Sequence, residues 1–457
     1  MSSALRFGIA PAVTATTAPP IPKAREWATS YLASNPELPL LDLSQGVPGD
    51  PPDETVLAAL AKASSDPRSA KYGSILGEIE LREALAEEFN VQYGVGSSSS
   101  SSGRKSSKLS AQDIGITTGC NMAFLVLVMA LCPPSTSSVL LPLPAYFNHS
   151  MVMTMQSVKP LYIPCEPESG FRPSISAARD HLETAKGQSE GSTRPRMICL
   201  VTPNNPTGAV YSPRELEDWY DLAKEFEVAL VLDETYRDFV DGPPHHLFDR
   251  EDWRETLVSL GSFSKGYRIP GHRLGSIVAS PDLLRHLATV CDCMQICAPR
   301  PPQIALASLL PSLRVSLTAS SVALQSRHRL FTEIITSIPG WQVVSQGGFY
   351  AYVAFPEDYK TASSALGRKR KSLGSEDVAK VLSLQCGVLT LPGSFFCPSG
   401  EELEALEGAG TEQLREDKWL RFAIANVDDE AVRQLGPRLH KMNGIMGFGE
   451  EVVVVDD

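Results

Sequence analysis

The chain has 457 residues, 43% apolar and 21% charged, ordinary proportions for a globular protein with a large core and more than one domain. Its formal net charge of -12 disfavours a nucleic-acid partner. No apolar run approaches the roughly 18 residues of a membrane helix, so no membrane partner is expected.

The N-terminus carries Arg6, Lys23 and Arg25 and no acid before Glu26, as an import segment would. Pro11, Pro19, Pro20 and Pro22 argue against an amphipathic helix there. Residues 1–24 therefore read as an arm, and the expected location is cytoplasmic, with mitochondrial import the lesser alternative. The cysteines number nine, an odd count without disulfide or zinc spacing even at Cys291, Cys293 and Cys297. Reduced thiols and no metal are expected.

Further along, residues 96–108 form a Ser-rich loop. Apolar runs then follow at 114–117, 139–143, 197–201, 228–232, 256–260 and 276–279. Helical patterns such as 121–131 and 213–226 separate most of them. Apolar strands alternating with helices predict a mostly parallel sheet covered on both faces. The fold class is α/β, with a large domain over 65–310. Strands at 341–344, 348–353, 388–391 and 419–425, with a helix after Ser375 and a last helix, predict a smaller α+β domain built from 25–64 and 311–445. Residues 446–457 are a tail. Residues 360–374, with Arg368-Lys369-Arg370-Lys371, read as a solvated loop rather than a nuclear signal.

Ligands of such sheets lie at the carboxyl ends of the strands. Thr118-Gly119-Cys120-Asn121 opens a helix there, and free backbone N–H groups suit a phosphate. Many strand–helix turns contain Gly, so this alone is weak. Tyr146 either stacks on a flat ring or fills core. Asn204 and Asn205, between two prolines, make a rigid polar turn that need not bind anything. Asp233 ends an apolar strand and needs a partner, for which a protonated heterocyclic nitrogen would serve. Lys265 follows another strand and is a candidate Schiff-base nucleophile, although a lone lysine is more commonly a surface group. Together these residues are the inventory of a pyridoxal phosphate site.

In order and spacing, Asn204-Asn205-Pro206-Thr207-Gly208, Asp233-Glu234-Thr235-Tyr236 and Ser262-Phe263-Ser264-Lys265 with Arg273 resemble the class I/II aminotransferases, fold-type I pyridoxal-phosphate enzymes. The resemblance covers about residues 18–440. It implies a mostly parallel seven-stranded sheet sandwiched by helices, and pyridoxal 5′-phosphate as cofactor. Lys265 would form the Schiff base and move the proton, with Asp233 at the pyridine nitrogen and Asn205 and Tyr236 at the phenolic oxygen. Tyr146 would stack on the ring, and His149 would stand behind Asp233. Gly119, Cys120, Asn121, Ser262 and Arg273 would hold the phosphate, and Tyr72 would reach the phosphate of a neighbouring subunit in a homodimer. Gly46 and Asn205 would line the substrate, and Arg421 would clamp its α-carboxylate. Gln45-Gly46-Val47-Pro48-Gly49-Asp50 and Leu391-Pro392-Gly393-Ser394 resemble the subgroup of broad amino-acid specificity. Dicarboxylate-specific relatives carry a second clamp arginine where this chain has Gln295, with Arg300 near but out of register.

The implied activity is amino transfer between an L-α-amino acid and a 2-oxo acid, in amino-acid metabolism or biosynthesis. The alternative is elimination, replacement or carbon–carbon bond formation on the same cofactor.

Overall fold

Runs rich in Val, Leu and Ile between residues 114 and 278 pair into one seven-stranded sheet. Its strands are β1 (Ile114–Thr117), β2 (Ser137–Leu143), β3 (Lys159–Pro164), β4 (Arg194–Val201), β5 (Ala229–Asp233), β6 (Leu257–Ser262) and β7 (Gly275–Val278). The order across the sheet is β1-β7-β6-β5-β4-β2-β3. Pairings among β2 to β6 are parallel, whereas β7 runs antiparallel to β1 and β6. The computed structural model describes residues 6–96, 108–187, 193–357 and 373–448. The Ser-rich stretch, the run Arg368-Lys369-Arg370-Lys371 and most of the tail lie outside the described residues.

Alternate residues of each strand face opposite sides, and both sides are buried. Ile198, Leu200, Leu230 and Leu232 join one core cluster; Met197, Cys199 and Val231 join the other. Helices on both faces account for strands that read apolar throughout. The strand β3 was not among the runs expected. Its Pro160 and Pro164 obscure it, and an edge strand bonded only to β2 tolerates them.

The smaller layer holds an antiparallel sheet in the order Leu391–Pro392, Trp419–Ala423, Tyr350–Ala354, Gln342–Gly347. Leu41–Asp42 pairs with Val388–Leu389. One core unites Ala24, Trp27, Leu41, Leu382, Phe422 and Leu439, so the N-terminal segment packs into this layer. The prolines expected to prevent a helix instead start two. Pro11 opens Pro11–Ala15, and Pro22 sits in the first turn of Ile21–Ser34. In a first turn the missing N–H has no bond to lose.

Candidate active site

Strands β1, β2, β4, β5 and β6 end on one edge of the sheet. Because β7 is antiparallel, the loop that leads into it reaches the same edge. A cavity of about 300 Å³ lies there, closed on the other side by the smaller layer through Tyr350 and Arg421.

At one end the helix Cys120–Leu131 begins directly after β1. Gly119 has φ +83, and a Cβ there would stand 2.2 Å from Arg273 Nη2. The first amides of a helix have no intrahelical acceptor. Cys120, Asn121, Ser262, Ser264 and Arg273 line this end of the cavity. Bare backbone donors, hydroxyls and a guanidinium together form an anion cradle that a larger residue at 119 would fill.

Deeper in, Asp233 closes β5. Thr235 donates to its Oδ1 from the backbone at 3.1 Å and from the hydroxyl at 2.7 Å. His149 Nε2 lies 3.2 Å from Oδ2, and the Cys120 thiol 3.7 Å from Oδ1. Burial by itself would raise the Asp233 pKa. The bond and charge of His149 and the bonds of Thr235 outweigh it and hold the carboxyl below its ordinary value. Burial opposes charge on His149, but Cys199 and Asp233 favour it, and its pKa is raised. An ionised carboxylate therefore faces the cavity, backed by an imidazolium.

Lys265, in the turn after β6, donates from Nζ to the Gly46 carbonyl. Burial, then the charges of Arg421 and Arg273, lowers its pKa to about 8, with Asp233 opposing. A lysine so placed has a far larger neutral-amine fraction near physiological pH than a free lysine, although the ammonium form still predominates below its pKa. Tyr146 borders the cavity after β2, its hydroxyl 3.5 Å from Asn121 Oδ1.

Arg421 enters from the smaller layer, on the strand Trp419–Ala423 opposite Tyr352. Its Nη1 donates to Asn205 Oδ1 at 2.9 Å and its Nη2 to the Ser44 carbonyl. Nε is buried with no partner among the described residues. The guanidinium carbon is 4.6 Å from the Tyr350 ring centroid and 4.8 Å from that of Phe396. A buried guanidinium donor without an acceptor calls for an anionic ligand, and a carboxylate suits its geometry.

The cavity thus gathers Gly46, Cys120, Asn121, Tyr146, Asn205, Asp233, Tyr236, Ser262, Lys265, Arg273 and Arg421, with Gly119 against Arg273. Tyr72 does not line it and is 79% exposed on the chain's surface. Gln295 accepts from Thr118 N at 2.8 Å and donates to Ile116 O at 3.3 Å, so it braces the end of β1. Tyr350, Thr235, Ile21 and Phe147 line the cavity without having been foreseen. The hydroxyls of Tyr350 and Tyr352 in a largely apolar run were the available signal, since a hydroxyl needs a partner when buried.

The unpartnered Arg421 Nε, the Gly119 cradle and the ionised Asp233 fit pyridoxal phosphate bearing an amino-acid substrate. Comparison with known proteins agrees. The family model for aminotransferase class I and II matches residues 39–439. An aspartate aminotransferase of Sulfurisphaera tokodaii is 26% identical over 340 residues, 74% of this chain and 77% of that one. An aromatic aminotransferase of Arabidopsis thaliana is 26% identical over 406 residues, 88% and 89% of the two chains. The crystal structure of the Rhizobium meliloti aspartate aminotransferase superposes with a TM-score of 0.78 at 21% identity, covering 95% of this chain and 98% of that one. The chain belongs to the class I and II aminotransferases and is a pyridoxal-phosphate-dependent enzyme of amino-acid transamination.

Proposed function

We propose that this aminotransferase holds its cofactor on Lys265, binds the substrate α-carboxylate with Arg421, and prefers apolar, aromatic or sulfur-containing amino acids. The observation that carries the reading is the convergence of Lys265, Asp233 and Arg421, from three elements, on one cavity.

When bound, pyridoxal phosphate supplies an electron sink for breaking a bond at the substrate Cα. The anion cradle at Gly119, Cys120, Asn121, Ser262 and Arg273 takes the phosphate. Asp233, kept ionised by His149 and Thr235, would hold the pyridine nitrogen protonated. Asn205 and Tyr236 would bond the phenolic oxygen, and Tyr146 would stack on the ring. Arg421 fixes the α-carboxylate, which leaves the Cα–H bond to face Lys265. The lysine amine, with its pKa lowered, moves that proton.

Support for the substrate class comes from the cations. Gln295 is spent on the backbone of β1. Arg300 grips Glu78 through Nε at 2.7 Å and Nη2 at 3.0 Å. Ile21, Val47 and Phe147 give the cavity an apolar wall.

The working form proposed is a homodimer in amino-acid metabolism, with Tyr72 shared across a two-fold interface. Tyr72, Met294 and Ile296 are exposed, and the bond from Gly73 N to Cys297 Sγ at 3.4 Å joins their segments. Such an apolar patch marks an association surface. Light scattering should give twice the chain mass; a monomer at working concentration would reject the shared site. Borohydride reduction and peptide mapping test the centre of the proposal. Label should fall on Lys265, and label on any other lysine overturns it.

A further inference from the structure

Tyr350 begins the strand Tyr350–Ala354 and is 2% exposed. Its hydroxyl lies 2.6 Å from the hydroxyl of Tyr236. Opposite stands Gly46, where a Cβ would fall 1.8 Å from that same oxygen. Residue 46 must therefore be glycine for the two hydroxyls to meet. The carbonyl of Gly46 in turn accepts from Lys265. The Tyr350 hydroxyl thus stands against two cavity-lining residues, Tyr236 and Gly46, yet nothing in the roles proposed above uses it.

The contact between the two phenols holds one proton, and each phenol has only one to give. The Tyr236 hydroxyl shows no other hydrogen-bond partner among the described residues. Resting on the reading that Tyr236 gives its proton to the cofactor's phenolic oxygen, the shared proton must come from Tyr350. We propose that Tyr350 is a positioning residue: it donates to Tyr236 and so turns the Tyr236 proton toward the cofactor. A hydroxyl that accepts one hydrogen bond becomes a stronger donor in the next. The chain from Tyr350 to Tyr236 then stabilises the ionised phenolic oxygen and disfavours protonation of the cofactor's linkage to Lys265.

The test is a pH titration of the visible absorbance of the cofactor-loaded enzyme, which reads that protonation without turnover. Tyr350→Phe keeps the ring beside Arg421 and removes only the hydroxyl. Its titration midpoint should rise by about 0.4–1 pH unit, the equivalent of one net hydrogen bond. Tyr236→Phe should raise the midpoint at least as far, and adding Tyr350→Phe to it should produce no further rise. Gly46→Ala, which displaces the hydroxyl of an intact Tyr350, should move the midpoint in the same direction and serves if Tyr350→Phe does not fold. If Tyr236→Phe shifts the midpoint while Tyr350→Phe and Gly46→Ala do not, the Tyr350 inference alone is overturned. If Tyr236→Phe leaves it unmoved, the reading of Tyr236 falls and the inference falls with it.

Discussion

His149 Nε2 stands 3.2 Å from Asp233 Oδ2, with both side chains almost wholly buried. A buried carboxylate is costly unless paired, and His149, which does not line the cavity, pairs it. The pair therefore sets the charge that the cavity presents to a ring nitrogen. Asp233→Asn keeps the shape and removes the charge. It should lower kcat by about 10²–10³, the usual loss for one preorganised electrostatic group. Steady-state kinetics check this, and a loss under tenfold would remove Asp233 from its assigned role.

The same pair gives a pH-dependent stability. The folded pKa of His149 is raised, so its stabilisation is complete below the unfolded value of roughly 6.5 and fades as pH climbs toward the folded value. That of Asp233 is lowered, so its stabilisation is present above roughly pH 3.9 and is lost as pH falls through the folded value. His149→Gln should destabilise the enzyme by about 3 kcal/mol near pH 6. The gap from wild type should narrow as pH rises above that. Denaturant melts at several pH values read this directly; a gap that widens with pH contradicts the imidazolium.

For Lys265, the nucleophile toward an aldehyde is the neutral amine, and its pKa is lowered to about 8 by burial and by Arg421 and Arg273. Reloading of apoenzyme with pyridoxal phosphate should accelerate about tenfold per pH unit below 8 and level off near it. A free lysine would keep gaining toward roughly 10.4. In Arg421→Ala the plateau should move to higher pH, because one of the two cations is gone. Stopped-flow absorbance follows the reaction. An unchanged plateau would show that the charge of Arg421 does not contribute to the lowering.

Much of this site was legible because its parts are local. Gly119, Asn205, Asp233 and Lys265 each sit at or just past the end of an apolar run, and the strand-end rule collects such ends on one edge. Arg421 and Tyr350 had no such rule. They reach the cavity because Tyr350–Ala354 pairs with Trp419–Ala423 and turns one face toward the large sheet. Ile21 was hidden differently: its prolines suggested an arm, yet Pro22 only marks where a helix starts. The strand β3 was hidden by its own prolines at a sheet edge. Tyr72 is exposed within a single chain, so its proposed role depends on a second copy.

Substrate choice follows from which cations remain for a second carboxylate. Arg421 Nε has no partner among the described residues, and the α-carboxylate common to all amino acids would use that guanidinium. Arg273 borders the anion cradle through Gly119. Arg300 is held by both oxygens of Glu78 and by the carbonyls of Arg68 and Lys71, and Gln295 carries no charge. A side-chain carboxylate would meet Ile21, Val47 and Phe147 instead. Burying it there without a partner costs several kcal/mol. Aspartate should therefore show a kcat/KM at least about a hundredfold below those of methionine, phenylalanine and leucine, equivalent to about 2.7 kcal/mol. The several relatives named as aspartate aminotransferases share at most 26% of residues over the aligned length, and one gap in the clamp is enough to separate preferences. Single-turnover half-reactions with each amino acid, followed by the cofactor's absorbance, give the comparison without an acceptor. Arg300→Met supplies a control: it should weaken the Glu78 contact and leave the aspartate-to-phenylalanine ratio unchanged. A wild-type kcat/KM for aspartate above the other three would refute the preference, and a ratio that collapses in Arg300→Met would identify Arg300 as the second clamp.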